Sequence, residues 1–192
     1  MSKFICLVLC IFLPTTALAD DWYAVLRGSV VWSFDRSNQD EVEFGDEPGG
    51  SLEMGIGHRF RLADRWLLNG EGQVIGHAVP LHGRNDKREA TADGRYFWLT
   101  GVTVNVWPEY ELDDRWSLYG GGGVGPAVIT AFGSSATTWI AIGGAGIRIK
   151  ATNALSFDLG GRYYWTAPAR VNGAQSRYDS FGPSFTLTWY FQ

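Results

Sequence analysis

Eight stretches of the 192-residue chain alternate apolar and polar residues, and in all eight one parity carries no Asp, Glu, Lys or Arg. The first runs Ala24, Leu26, Gly28, Val30, Trp32, Phe34 on one side, with Val25, Arg27, Ser29, Val31 and Ser33 on the other. The last runs Phe181, Pro183, Phe185, Leu187, Trp189, Phe191 against Gly182, Ser184, Thr186, Thr188 and Tyr190. Strand side chains point alternately to two faces, so this pattern gives every strand one apolar and one polar side. A soluble sheet also alternates, but it rarely keeps charge off one face throughout while capping its strands with tryptophan. A wall that faces lipid must do both. The expected fold is therefore all-β: an eight-stranded antiparallel up-and-down transmembrane β-barrel.

Residues 1–19 read as a secretory signal peptide, to be set apart from the fold. Lys3 supplies the positive start, Phe4 to Leu13 the apolar run, and Ala17-Leu18-Ala19 the cleavage site before Asp20. The run is shorter than the roughly 20 residues a membrane-spanning helix needs. Both cysteines, Cys6 and Cys10, fall inside it. Cys10 sits mid-run after Leu9, not behind small residues at its end, which argues against a lipoprotein signal. Residues 20–192, the expected barrel domain, contain no cysteine and need no disulfide in an oxidising compartment. Loss of Lys3 moves the formal charge from −4 to −5, and that mild acidity gives no basis for binding nucleic acid.

The spacing predicts strands over 22–35, 51–62, 66–78, 95–107, 116–130, 138–150, 155–166 and 180–191. Connections alternate in length. Those at 63–65, 108–115 and 151–154 are short, whereas 36–50, 79–94, 131–137 and 167–179 are longer. Short periplasmic turns and longer external loops are the outer-membrane arrangement. Leu62-Ala-Asp-Arg-Trp66 and Leu112-Asp-Asp-Arg-Trp116 echo each other at two of the short turns. The tryptophans fall near strand ends: Trp22, Trp66, Trp107, Trp116 and Trp189 at the periplasmic ends, Trp32, Trp98, Trp139 and Trp165 at the opposite ends. All nine are expected in aromatic belts at the two membrane–water interfaces.

Trp116-Ser-Leu-Tyr-Gly-Gly-Gly-Gly-Val-Gly125 resembles the fifth strand of OmpX/Ail-like and opacity-type outer-membrane proteins. Gly143-Gly-Ala-Gly-Ile-Arg-Ile-Lys150 and Asn153-Ala-Leu-Ser-Phe-Asp-Leu-Gly-Gly-Arg-Tyr163 resemble their sixth and seventh strands. The likeness is clearest over 116–192. It implies a small eight-stranded barrel of the cell outer membrane, in a group that includes adhesion proteins and simple structural barrels. The C-terminal alternation ending at Phe191 implies recognition by the barrel-assembly machinery, although Gln192 stands where such signals end in an aromatic residue. The third external loop is also shorter than the family's adhesive loops often are.

The inward parity carries Arg27, Glu53, Arg59, Glu71, Asp158 and Arg162. An eight-stranded barrel is just wide enough for side chains to fill it. Because a lone buried charge costs several kcal/mol, three bases and three acids there predict an interlocked polar plug, with direct pairing among Arg27, Arg59 and Glu71. A gated narrow pore is the functional alternative, since ionisable groups at membrane depth are default candidates.

Histidine is the natural place to seek an enzyme. His58 lies on the lipid-facing parity of the second strand, His77 near the outer end of the third, and His82 in the second loop. Some barrels of this size modify lipid A with a membrane-facing His, Ser and acidic partner. Phe60 follows on the His58 face, and neither serine nor acid shares that parity on the neighbouring strands, so a triad is not expected. Gly120-x-Gly122-x-x-Gly125 matches a dinucleotide fingerprint in spacing alone, because Pro126 and a β-type run follow instead of a helix. No catalytic residue, cofactor or metal site is expected. The first loop gathers Asp35, Asp40, Glu41, Glu43, Asp46 and Glu47 against Arg36 alone; the second mixes Arg84, Lys87 and Arg88 with Asp86, Glu89 and Asp93. The expectation is thus a monomeric, non-enzymatic barrel with an envelope-structural or loop-binding, adhesion-like role. Its partners would be outer-membrane lipid, lipopolysaccharide and an external protein ligand. A lipid A-modifying enzyme or a narrow channel is the alternative.

Overall fold

The structure is a computed structural model that describes residues 21–33, 43–44, 48–84, 90–91, 96–131, 133–171 and 174–191. Residues 1–19, expected to be a signal peptide, most charges of the first two loops and Gln192 lie outside the described residues. Eight long strands form the barrel: β1 (Asp21–Ser33), β2 (Gly49–Ala63), β3 (Trp66–Arg84), β4 (Tyr96–Glu111), β5 (Trp116–Ala131), β6 (Ser134–Lys150), β7 (Leu155–Thr166) and β8 (Asp179–Tyr190). Each pairs antiparallel with its neighbour in sequence, and β1 pairs with β8 from Tyr23↔Tyr190 to Ser33↔Ser180. The ring is closed, so no barrel strand has an unpaired edge within hydrocarbon.

Three strands are longer than their alternation alone predicts. β3 continues past Ala78 to Arg84, pairing there with the short segments Glu43–Phe44 and Ala90–Thr91. β4 runs through Pro108 to Glu111. Pro108 still lies opposite Leu68 on β3, while pairing with β5 is interrupted beside it. β6 begins at Ser134, so the third loop is a tight hairpin with Ala131 opposite Ser134. Gly133 in that turn has φ 76°, a left-handed conformation that glycine adopts without a Cβ clash.

The short turns are held by local bonds. At the β4–β5 turn, Asp113 Oδ1 accepts from the Arg115 and Trp116 amides at 2.7 and 2.8 Å. This pins the carboxyl below its ordinary range; in the echoed sequence at the other turn the matching position is Ala63. These turns and both chain ends share one end of the barrel, called here the turn end; the opposite end is the loop end.

The uncharged parity faces outward. Leu26, Met54, Ile56, Val74, Val104, Val124, Leu159 and Phe185 are exposed, with Leu159 at 55%. In a soluble protein such a surface would be untenable, whereas lipid makes it the favourable one. Trp22, Trp32, Trp66, Trp98, Trp116, Trp139 and Trp189 are exposed on this wall, and Trp165 is partly covered. Trp107 is the exception. Because β4 extends beyond it, Trp107 is neither a strand end nor outward-facing; it shares the inward parity of Asn105 and Glu109 and is 2% exposed. It is a lumen residue and not part of a belt.

Candidate functional site: the barrel lumen

The inward side chains form two layers stacked along the barrel. Toward the loop end the layer is apolar: Val31, Ile75, Val79, Phe97, Leu99, Ile129, Ile140 and Ile142 are buried together. The segment after β7 contributes Ala169, Val171 and Tyr178 to the same cluster, with Tyr178 stacked on Phe97 at 4.7 Å between ring centroids. His77 lies just below this layer, edge-on to Tyr164 at 4.2 Å.

Below it the lumen is charged. Arg27 donates from Nη1 to Glu53 Oε2 at 2.6 Å and to Gln73 Oε1 at 3.1 Å, and from Nε to Thr186 Oγ1 at 2.9 Å. Its Nη2 lies 3.7 Å from Glu71 Oε2. Glu71 accepts from Trp107 Nε1 at 2.9 Å and from the Tyr23 hydroxyl at 3.2 Å. Glu53 also accepts from the Tyr164 hydroxyl, which contacts Ser29 and Ser51 in turn.

Nearer the turn end a second cluster forms. Arg148 grips Asp158 with two bonds of 2.8 Å and donates to Glu109 Oε2 at 2.6 Å. Glu109 accepts further bonds from Ser117 and Asn69. Arg59, 12% exposed at the side chain, lies 3.9 Å from Glu109, stacks on Tyr190 and donates to its hydroxyl. Bidentate geometry and saturated acceptors are what make buried pairs tolerable in a low-dielectric interior.

Five of the six anticipated lumen residues, Arg27, Glu53, Glu71, Asp158 and Arg162, are fully buried, with Arg59 at the turn-end margin. Their pairing differs from expectation in two respects. Arg59 reaches Glu109 and not Glu71, because Asn69 and the extended β4 bring Glu109 beside it. Arg162 joins no ion pair or hydrogen bond among the described residues. Its guanidinium instead lies over the Trp107 ring at 4.0 Å, with Tyr119 at 5.7 Å. Glu109 and Arg148 were missed. Both carry a legible signal, since Arg148 shares the inward parity of Ile140 and Ile142, and Glu109 continues that of Asn105.

The glycines of β6 and β7 create the room. A Cβ on Gly144 would come within 2.8 Å of Arg162 Cδ, and one on Gly146 or Gly160 within 2.7 Å of the Tyr119 hydroxyl. The Gly120–Gly125 run is thus continuous β-strand, as its lack of a following helix implies. On the outer wall, His58 lies between Trp22 and Phe60, with ring centroids 4.9 and 4.4 Å away.

A closed strand ring with a charge-free outer wall, aromatic belts and a packed polar interior defines an integral outer-membrane barrel. The chain belongs to the outer membrane protein beta-barrel domain family, which matches residues 4–191. Its home is the cell outer membrane. Neisserial surface protein A (NspA) has a similar fold, with TM-score 0.63 and 16% identity over 88% of this chain and 97% of that one. OprG of Pseudomonas aeruginosa is similar at TM-score 0.51 and 12% identity, over 90% and 97%. A comparison with curated protein sequences gives no match.

Proposed function

We propose that this protein is a non-enzymatic, monomeric outer-membrane barrel that reinforces the envelope through its wall and presents its external loops to ligands. The observation that carries this reading is the filled lumen. Side chains from all eight strands pack it, Arg27, Arg59 and Arg148 of the charged layer pair with carboxylates, and an apolar layer lies above. Such an interior serves as scaffold more readily than as conduit. The one outward-facing histidine on the described wall, His58, has aromatic neighbours and no acid or serine to orient it, which supports a role without catalysis. The contact surfaces that remain are the lipid-facing wall, suited to phospholipid and lipopolysaccharide, and the loop end. The alternation Phe185, Leu187, Trp189, Phe191 serves the barrel-assembly machinery.

Deleting residues 38–48 tests the reading. The deleted barrel is expected to fold, insert and restore detergent resistance to cells lacking the protein, while losing binding to arrayed host-surface proteins. Failure to fold would make the first loop part of the scaffold. An altered lipid A acyl pattern in the knockout, restored by wild type but not by His58→Ala, would favour the enzyme instead.

A further inference from the structure

The chain between β7 and β8 folds across the loop end as a strap. Its arms Ala169–Val171 and Ala174–Ser176 pair with each other and, among the described residues, with no barrel strand. The first arm lies against β5 and β6, with Ala169 and Val171 buried in the apolar layer. Tyr178, where the strap runs into β8, sends its ring onto Phe97 of β4, the strand four places away around a ring of eight. The root of the strap is hydrogen-bonded. The Thr166 amide donates to the Tyr178 carbonyl at 2.9 Å and the Tyr178 amide to Thr166 Oγ1 at 2.8 Å. The Ala167 amide donates to the Trp139 carbonyl at 2.8 Å, and Thr138 Oγ1 to the Ala167 carbonyl at 2.6 Å. Beyond that root the cover is apolar, so it can lift without breaking the bonds that anchor it.

His77 sits beneath this cover. It is 0% exposed, and neither ring nitrogen has a hydrogen-bond partner among the described residues. Tyr164 of β7 meets it edge-on at 4.2 Å and Tyr178 of the strap at 6.0 Å. Across the ladder it faces Ser51 on β2 and Leu99 on β4. The charged group that acts on it is the Glu53 carboxylate of β2, whose oxygens already accept from Arg27 and Tyr164. The acid at the start of β8, Asp179, is held by Arg177 at 2.9 and 3.2 Å. A neutral imidazole can stay in such a place at modest cost, whereas an imidazolium carries two N–H donors and a full charge that need an acceptor or water. The next residue, Ala78, lies opposite Trp98 of the loop-end belt. External water is therefore one strap away.

We propose that the strap is an acid-opened cover: protonation of His77 lifts it from the mouth and exposes the apolar layer to the external medium, while the charged layer below stays in place. A water-exposed histidine titrates near pH 6.5, so if the closed form keeps the ring neutral, the open fraction should rise about thirtyfold from pH 7.5 to pH 5. Residues 20–192 contain no cysteine, so a single introduced thiol reports the opening. Ala169 is buried in the strap and Arg170 beside it is exposed. The test takes the full barrel in nanodiscs and a pyridyl disulfide reagent, which reacts in acid as well as at neutral pH. The rate of Ala169→Cys divided by that of Arg170→Cys is expected to show the rise. Adding His77→Leu or His77→Gln, neither of which can take the charge, should keep the ratio at its neutral value. Tyr178→Leu gives up the Phe97 stack and should raise the ratio already at pH 7.5. Heat-dependent gel migration at both pH values reports that each barrel stays folded. A ratio that does not change with pH overturns the proposal. So does a rise that persists in a folded His77 variant, which would assign the response to Glu53 or Asp179. Loss of folded migration at pH 5 overturns it as well, because the opening would then be global.

Discussion

Arg148 donates from three nitrogens to two carboxylates, while Arg162 rests on the Trp107 ring with no hydrogen-bond acceptor among the described residues. The two are equally buried, so they separate the worth of a saturated buried pair from that of a cation–π contact. Arg148→Met strands Asp158 and Glu109 and should cost about 3–5 kcal/mol. Arg162→Met gives up chiefly the ring contact and should cost about 1–2 kcal/mol. Urea unfolding of the barrel in phospholipid vesicles measures both, and equal costs would mean that Arg162 has a partner the geometry does not show. Arg27, Glu53 and Asp158 were legible as lumen residues because inward parity alone selects them. Trp107 was misplaced because tryptophan near an apparent strand end suggests a belt, and Pro108 suggested that end. Its parity, shared with Asn105, already pointed inward.

At the scale of strands and turns, alternation located all eight barrel strands, but not where β3 and β4 stop or where β6 starts. A strand that leaves the membrane no longer needs an apolar face, so the pattern fades while the backbone ladder continues, as it does from Val79 to Arg84 on β3. Ladder bonds are a pairing property and leave little trace in one strand's own composition. Turn chemistry is more local and more readable. Asp113 is fully exposed, and its depressed pKa comes first from the amides of Arg115 and Trp116. A depressed carboxyl stabilises fully above its ordinary value of 3.8 and loses that contribution as pH falls through the lower folded value. Asp113→Ala should therefore be less stable than wild type at neutral pH and converge with it in strong acid. Unfolding midpoints measured from pH 7 to pH 2 check this, and a constant difference across the range would refute it.

On the function proposed above, the described barrel is sealed twice, by an apolar layer near the loops and by largely paired charge beneath. The second seal was legible from the acids and bases on one parity. The first was not, because Ile75, Leu99, Ile129 and Ile140 look like ordinary strand residues until the ring sets them at one height. Two seals in series predict that weakening the lower one leaves the barrel closed. Planar-bilayer recordings should show no discrete steps for wild type, and none for Arg27→Met, which instead lowers stability. Steps from that variant alone would locate the barrier among the charges.

The seam where β1 meets β8 joins the two extremities of the folded chain, and Arg27 reaches across it to Thr186, 159 positions later. Until that last hairpin arm arrives, the wall is a trough open to water, and its guanidinium and carboxylate groups stay hydrated at no penalty. Dehydration and neutralisation then coincide in a single final event. A nascent chain stalled one arm short is accordingly a wet half-pipe, unable to rest in oil and still waiting for its own tail.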